Sequence, residues 1–253
     1  MKVRDLLQHI DTFAPFEICE EWDNSGLLVG DDNAEISRVG VCLDAVTSAV
    51  IEAHNRGCNV LVTHHPIIFR TLKRITASTE QGRTILEAAR LNVNIIAAHT
   101  NWDKAYGGVN DTLAGLIGLN EAEPLGDFGV CGNLSASMPA GDFARHVKDS
   151  WGLSRLDIYA GDLPVKILRV ALCGGAGSEF WTAAKSLGAD VYITADMKYH
   201  ELSDAVNDGM MIALAGHGEM ERASIRELAR KISGCGVDTE IIGVNALPEM
   251  IRI

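Results

Sequence analysis

Short apolar segments alternate with helical segments along this chain, and this alternation constrains the fold more than any other feature of the sequence. Apolar runs predict strands at 39–43, 60–63 and 93–98, and helical spacing predicts helices at about 47–54 and 80–91. Parallel strands need such crossover helices, and these crossovers are almost always right-handed. The pattern therefore predicts an α/β fold with a mainly parallel sheet.

The second half of the chain repeats this order of elements. Strands are predicted at 170–173, 190–194 and 210–215, with helices at about 178–187 and 201–207. A shift of 131 residues aligns five identical pairs. They are Cys42 and Cys173, Ala53 and Ala184, Gly57 and Gly188, Val60 and Val191, and Thr63 and Thr194. We interpret the repeat as an internal duplication.

The duplication predicts two related three-layer α/β lobes with a site in the cleft between them. Turn signals at 126–132 and 139–141 place the boundary near residue 125, which gives lobes at 1–125 and 126–253. The C-terminal helix and strand of the second lobe are expected to pack back on the first.

Composition excludes several classes of protein. The chain has 253 residues, of which 47% are hydrophobic and 22% charged, so disorder, collagen-like repeats and a coiled-coil rod are excluded. Its 22 Lys and Arg stand against 34 Asp and Glu, a net charge of −12. Such a charge repels phosphate backbones and disfavours a nucleic-acid partner, although a local basic rim stays an open alternative.

The sequence also predicts the compartment. It has no apolar run near the roughly 18 residues that span a bilayer, and acidic residues interrupt the N-terminal segment before a signal-peptide core forms. Its six cysteines form no C-x-x-C pair and are expected to be reduced thiols. We therefore expect a cytoplasmic protein without a membrane segment.

Four of the eight histidines follow directly on predicted strands. His64 and His65 come after the second strand, His99 after the third, and His217 after the last, with one glycine between. The carboxyl ends of parallel strands meet at one edge of a sheet, where ligands collect. A single histidine at a strand end is most often structural, but four at three ends predict a site.

Two of these histidines have a carboxylate four residues later, namely Asp103 after His99 and Glu221 after His217. Positions i and i+4 share a helix face, and the segment that begins at 217 has helical spacing, whereas the residues between His99 and Asp103 resemble a loop. Imidazole and carboxylate ligands without a thiolate suit iron, manganese, zinc or nickel at a reactive centre.

The number of candidate ligands predicts two ions rather than one. The candidates are His64, His65, Asp103, His217 and Glu221. One catalytic zinc needs three protein ligands, so five suit two divalent ions about 3.5–4 Å apart that share a carboxylate, with His99 in reserve.

Three other features leave alternatives open. His200 lies beyond a predicted strand and either lines the cleft or is structural. Gly174–Gly177 is interpreted as a tight turn, with phosphate binding at a helix N-terminus as the alternative. The polar segment 22–26 is either a capping turn or a wall of the site.

At these residues the chain resembles the GTP cyclohydrolase I type 2 homologue family, also called the NGG-interacting-factor-three-like family. The matching stretches follow the family's order over nearly the whole chain. They are residues 21–30, 63–69, 99–103, 107–114 and 190–200, and Gly216-His217-x-x-x-Glu221. One departure is Ala195, where the family usually has glycine.

The resemblance implies a two-lobed α/β fold with a dinuclear metal site in the cleft. It also implies a homohexameric ring, a trimer of dimers whose sites face a central cavity. Matched residue by residue, the implied ligands are the same five residues, with Glu221 as the bridge, and His99 stands beside the ions as a proton-transfer group. The family name implies ring opening of GTP, a reaction that the metal site alone does not indicate.

Two functions from different classes are therefore carried forward. The first is a metal-dependent hydrolase that uses a metal-activated water and has a small nucleotide as a possible substrate. Cations near the site in sequence are candidates to bind an anionic substrate: Arg70, Lys73, Arg74, Lys104 and Lys198. The alternative is a non-enzymatic metal-binding protein, either a metal carrier or a regulatory ring scaffold that binds a protein partner.

Overall fold

The computed structural model describes residues 1–161 and 166–244. Its helices are α1 (Val3–Phe13), α2 (Thr47–Asn55), α3 (Glu80–Leu91), α4 (Thr100–Lys104), α5 (Val109–Leu116), α6 (Ala140–Trp151), α7 (Trp181–Ser186), α8 (Tyr199–Asn207), α9 (His217–Arg222) and α10 (Ile225–Ser233). Its strands are β1 (Gly26–Val29), β2 (Val39–Asp44), β3 (Val60–His65), β4 (Asn94–Ala97), β5 (Asn120–Leu125), β6 (Gly129–Met138), β7 (Leu156–Tyr159), β8 (Ile167–Ala176), β9 (Val191–Ala195), β10 (Met211–Ala215) and β11 (Thr239–Ile241). The α/β class predicted from the sequence is confirmed.

Contacts divide the chain into two compact units. The first comprises Met1–Ala105 and the segment that begins at Ile225, and the second comprises Tyr106–Ser224. These limits differ from the predicted lobes, 1–125 and 126–253, because α5 and β5 belong with the second unit. Helix α10 and β11 belong with the first unit, where the C-terminal helix and strand were expected to pack. Helix α10 packs against α1 and β2, and β11 pairs with β2.

The first unit is built on a sheet whose described strands run in the order β1-β4-β3-β2-β11. Strands β2, β3, β4 and β11 are parallel, and β1 pairs antiparallel with β4 at one edge. The central residues of β2, β3 and β4 are buried on both faces, which explains the near-continuous apolar runs in the sequence. Helices α2 and α3 pack against each other and cover β2, β3 and β4.

The second unit has its own sheet, with the described strands in the order β5-β6-β8-β9-β10-β7. Strands β8, β9 and β10 are parallel, while β6 and β7 flank them antiparallel. Helices α7 and α8 pack on β9 and β10, and Tyr192 lies fully buried in the core between strands and helices.

The two sheets share one arrangement, which supports the internal duplication. In each, an antiparallel edge strand precedes three parallel strands in the chain. Their order across the sheet is also the same, β1-β4-β3-β2 in the first unit and β7-β10-β9-β8 in the second. The registers also correspond under the shift of 131 residues, since Val39 pairs with Val60 and Val170 with Val191. The crossover helices end in the same way: Gly57 has φ +77° and Gly188 has φ +73°, a left-handed conformation that favours glycine.

Two local features differ from the sequence-based prediction. The residues between His99 and Asp103 form the short helix α4 rather than a loop. The helical segment that begins at 217 is divided into α9 and α10, with Ala223 and Ser224 between them. Within the two described ranges, the longest helices fall short of the length and apolar character that crossing a bilayer requires.

Candidate metal centre

His64 and His65 form the end of β3, and the neighbouring strands hold their imidazoles. His64 is fully buried, and its Nδ1 lies 2.9 Å from the carbonyl oxygen of Ala98, just beyond β4. Nδ1 of His65 lies 2.7 Å from Oδ1 of Asp44, its register partner on β2. Both rings are therefore fixed by the strands on either side of β3.

His99 lies between β4 and α4 and is held by a buried carboxylate. Its Nδ1 is 2.7 Å from Oδ1 of Asp23, whose side chain is fully buried. The backbone N–H and hydroxyl of Thr100 donate to the other oxygen of Asp23, at 3.1 and 2.6 Å. Burial alone would raise the pKa of Asp23, but the hydrogen bonds from His99 and Thr100 lower it well below its usual range, so this carboxylate stays ionised.

These three histidines form one cluster. Each of His64, His65 and His99 offers a ring nitrogen, and these nitrogens lie within 4.8 Å of one another. Asp103, on α4, reaches the same cluster, because its Oδ1 lies 3.5 Å from Nε2 of His64. An imidazole whose Nδ1–H donates to an oxygen carries its lone pair on Nε2, which is the tautomer that binds a metal.

The second unit carries a histidine and a carboxylate on α9. His217 is its first residue and Glu221 follows one turn later, with Nε2 of His217 3.1 Å from Oε1 of Glu221. Nδ1 of His217 lies 2.5 Å from Oδ2 of Asp196, just beyond β9. Burial lowers the pKa of His217, but Glu221 and Asp196 outweigh this effect and raise it to about 9. The helical geometry predicted for this pair is present.

Strand β8 packs closely against this pair. Gly175 has φ +67°, and a Cβ atom at this position would lie 2.3 Å from Oε1 of Glu221. Residues 174–176 belong to β8, so the tight turn predicted for Gly174–Gly177 is replaced by a strand end. The glycine is required because the strand passes directly beside the carboxylate.

Three aspartates that hold histidines were missed by the sequence analysis: Asp23, Asp44 and Asp196. The polar segment 22–26 was interpreted as either a capping turn or a wall of the site, without a role for Asp23 in holding a histidine. The sequence does contain one signal, since Asp44 follows a predicted strand directly and Asp196 follows another after one residue. His99, predicted to be in reserve, lies inside the first cluster. His200 is exposed, with its ring 5.3 Å from that of Tyr199.

A family model for Duf34/NIF3 (NGG1p interacting factor 3) matches residues 1–248. The chain belongs to this family. The resemblance drawn from the sequence motifs is therefore confirmed, and two curated relatives agree. One from Lactococcus lactis is 36% identical over 246 residues, covering 95% of both chains, and one from Clostridium perfringens is 35% identical over 240 residues, covering 92% of this chain and 91% of the relative. Both are named GTP cyclohydrolase 1 type 2 homolog.

Two solved structures have the same fold as this chain. A Bacillus cereus protein related to NIF3 has a TM-score of 0.93 at 24% identity, and covers 100% of this chain and 99% of its own. A Staphylococcus aureus hypothetical protein has a TM-score of 0.92 at 27% identity, with the same coverage. Over its described residues, this chain therefore shares its fold with both proteins.

Proposed function

We propose that this Duf34/NIF3 protein binds two divalent metal ions and is a metal-dependent hydrolase. The proposed ligands are His64, His65, Asp103, His217 and Glu221. The observation that carries the proposal is the arrangement of the histidines. Each has its Nδ1 on an oxygen acceptor, and the Nε2 atoms of His64 and His217 lie within 3.5 Å of a carboxylate oxygen. This is the way proteins orient imidazole ligands to metals.

The donor set fits divalent transition metals. Imidazole nitrogen and carboxylate oxygen suit iron, zinc, manganese or nickel, and the five proposed ligands include no thiolate. When bound, two such ions supply Lewis-acid activation of a water molecule and of the substrate. Glu221, buried on α9, is the carboxylate that we propose to be shared by both ions.

His99 is the proposed proton-transfer group. Asp23 holds its Nδ1, which directs Nε2 toward the same cluster as the rings of His64 and His65. The ionised carboxylate of Asp23 stabilises the imidazolium that forms when Nε2 accepts a proton, and the proton is returned from the same atom. The name of the curated relatives supports one specific reaction, the ring opening of GTP, and with it a small nucleotide substrate.

The first experiment measures metal content per chain by plasma mass spectrometry, on protein purified without an affinity tag or chelator. We expect a ratio near two. Glu221→Gln should reduce it to one or less and abolish turnover, because the shared carboxylate is lost. Glu219→Gln on the same helix is the matched control and should keep both metals. A ratio near zero that manganese, iron and zinc do not restore would overturn the proposal.

The alternative function is a metal carrier or a regulatory scaffold, and metal exchange distinguishes the two. A catalytic pair that shares a carboxylate should release its metal slowly to a chelating acceptor, whereas a carrier should release it readily. Fast and complete transfer, without hydrolysis of nucleotides or esters, would favour the carrier.

Two further properties complete the proposal. We propose a homohexamer, built as a trimer of dimers, on the basis of family membership. We also propose a cytoplasmic location, because the six cysteines form no C-x-x-C pair and four of them are buried within the two cores, as in proteins of reducing compartments.

A further inference from the structure

Two exposed aromatic rings stand beside the first histidine cluster. Trp22 precedes β1 and is 57% exposed, and Phe69 follows β3 and is 43% exposed. Their ring centroids are 5.8 Å apart at an interplanar angle of 70°. Aromatic residues make up only 6% of the chain. Their large apolar area is normally buried away from water, so two paired and exposed rings indicate a binding role.

Both rings contact His99. The ring centroid of Trp22 lies 6.3 Å from that of His99, and the centroid of Phe69 lies 6.0 Å from it. Another exposed aromatic, Tyr199 at 77%, contacts His200, which is itself exposed and is not one of the proposed ligands. The pair therefore forms an apolar wall next to the residue proposed to transfer protons.

The two segments that carry these rings are tied together. The side-chain amide of Asn24 donates a hydrogen bond to the carbonyl of Ile68, which joins the residues next to Trp22 and Phe69. Asp23 is anchored by His99 and Thr100. The wall is therefore largely formed before any ligand binds, and a ligand that contacts it loses little protein entropy.

Positive charge follows directly on Phe69. Arg70, Lys73 and Arg74 are all exposed, in a chain whose net charge is −12. A local cluster of three cations within five residues is a suitable site for an anionic group. An apolar wall, three cations and a metal-binding cluster together fit a ligand that has a planar ring and an anionic substituent.

We propose that Trp22 and Phe69 form a stacking wall for a planar nitrogen heterocycle of the substrate, while Arg70, Lys73 and Arg74 bind its anionic group. This inference rests on the proposed function, since it takes the histidine cluster as the reacting centre. Stacking of a base on an aromatic side chain tolerates different rings and contributes substantially to binding. The proposed wall therefore assigns a class of substrate, a planar heterocycle with an anionic group, but not one particular base.

The test measures binding rather than turnover. Calorimetric titrations use guanosine 5′-monophosphate and flavin mononucleotide as ring-bearing probes, and ribose 5-phosphate as the ring-free match. At least one ring-bearing probe should bind about tenfold more tightly than ribose 5-phosphate. Trp22→Ala and Phe69→Ala should each remove about tenfold of that affinity, and Trp22→Phe should retain most of it. Substitution of the three cations by alanine should lower the affinity for all three probes.

Controls separate the possible causes. Trp181→Phe, in the second unit, should leave every affinity unchanged. The metal content of each variant is measured on the same samples, so a failure of the metal proposal is distinguished from a failure of the wall. Equal affinity for ring-bearing and ring-free probes would overturn the inference. So would a Trp22→Ala variant whose particle mass changes while probe affinity does not, because the rings would then be covered by a second copy of the chain.

Discussion

The four histidines at the strand ends differ in what holds their Nδ1 atoms. His64 relies on the backbone carbonyl of Ala98, which no substitution removes. His65, His99 and His217 rely on aspartates, which both orient the ring and increase the basicity of Nε2. At these aspartates, a substitution should therefore change the affinity of the proposed metal site without altering a proposed ligand.

Asp44 provides the clearest test of this role. Asp44→Ala should weaken metal binding by about 10–100-fold, because His65 loses the group that fixes its tautomer. Asp44→Asn retains an oxygen acceptor and should therefore lose less metal affinity than Asp44→Ala. Competition with a fluorescent chelator measures the affinity. Asp142→Ala, which removes an exposed carboxylate paired with Arg145, is the control and should have no effect. Unchanged affinity in Asp44→Ala would exclude an orienting role.

At the scale of elements, the strands and helices that carry the site were predictable because burial on both faces leaves uninterrupted apolar runs. Helix α3 lies where the sequence placed it, and β3 only extends further, to include both histidines. Helix α4 was not predictable from its own residues. It depends on contacts distant in sequence, since Asn101 donates from its side chain to the carbonyl of Ala14. The aspartate partners of the histidines were missed for the same reason.

Gly175, at the end of β8, should tolerate no side chain. Gly175→Ala would place a Cβ 2.3 Å from Oε1 of Glu221 and would force that carboxylate to move. We expect loss of metal binding in the metal-content assay as well as lower stability. Gly188→Ala is the matched control, since it has φ +73° but meets nothing within 4 Å. It should cost about 1–2 kcal/mol of stability from backbone strain and leave metal content unchanged.

Glu80 links the first turns of two helices and gives a pH-dependent prediction. Its carboxylate accepts a hydrogen bond from the backbone N–H of Thr47 on α2 and pairs with Arg83, which together lower its pKa to about 2. A lowered pKa in the folded state contributes stability above the unfolded value of 4.5, and this contribution is lost as the pH falls toward 2.

Glu80→Gln should therefore lower the melting temperature at pH 7, and the difference should shrink as the pH falls below 4.5. Because the side chain is about half exposed, we expect the substitution to lower the free energy of unfolding by only about 0.5 kcal/mol. Glu87→Gln on the same helix loses a similar Arg pair, to Arg90, but no backbone contact to α2, and should have a smaller effect. Thermal melts between pH 3 and 7 compare the two. A difference that grows in acid would contradict the assignment.

At the scale of the whole molecule, the duplication places different residues at matching strand ends of the two units. Under the shift of 131 residues, His65 corresponds to Asp196 and Asp44 corresponds to Gly175. The first unit thus has an imidazole held by a carboxylate where the second has a carboxylate beside a glycine. The sheets retained their order and register, while the residues at the strand ends diverged.

The proposed homohexamer gives the last prediction. Light scattering after gel filtration should find a mass of about 163 kDa, six times the 27.2 kDa of one chain. Each copy has a net charge of −12, so the copies repel one another. Salt limits the reach of this repulsion to about 10 Å at 0.1 M, whereas at 0.01 M it reaches about 30 Å. Dilution at 10 mM salt should therefore dissociate the particle more than dilution at 150 mM. A particle with the mass of one chain at both salt concentrations would show that the sequence motifs are retained without the assembly.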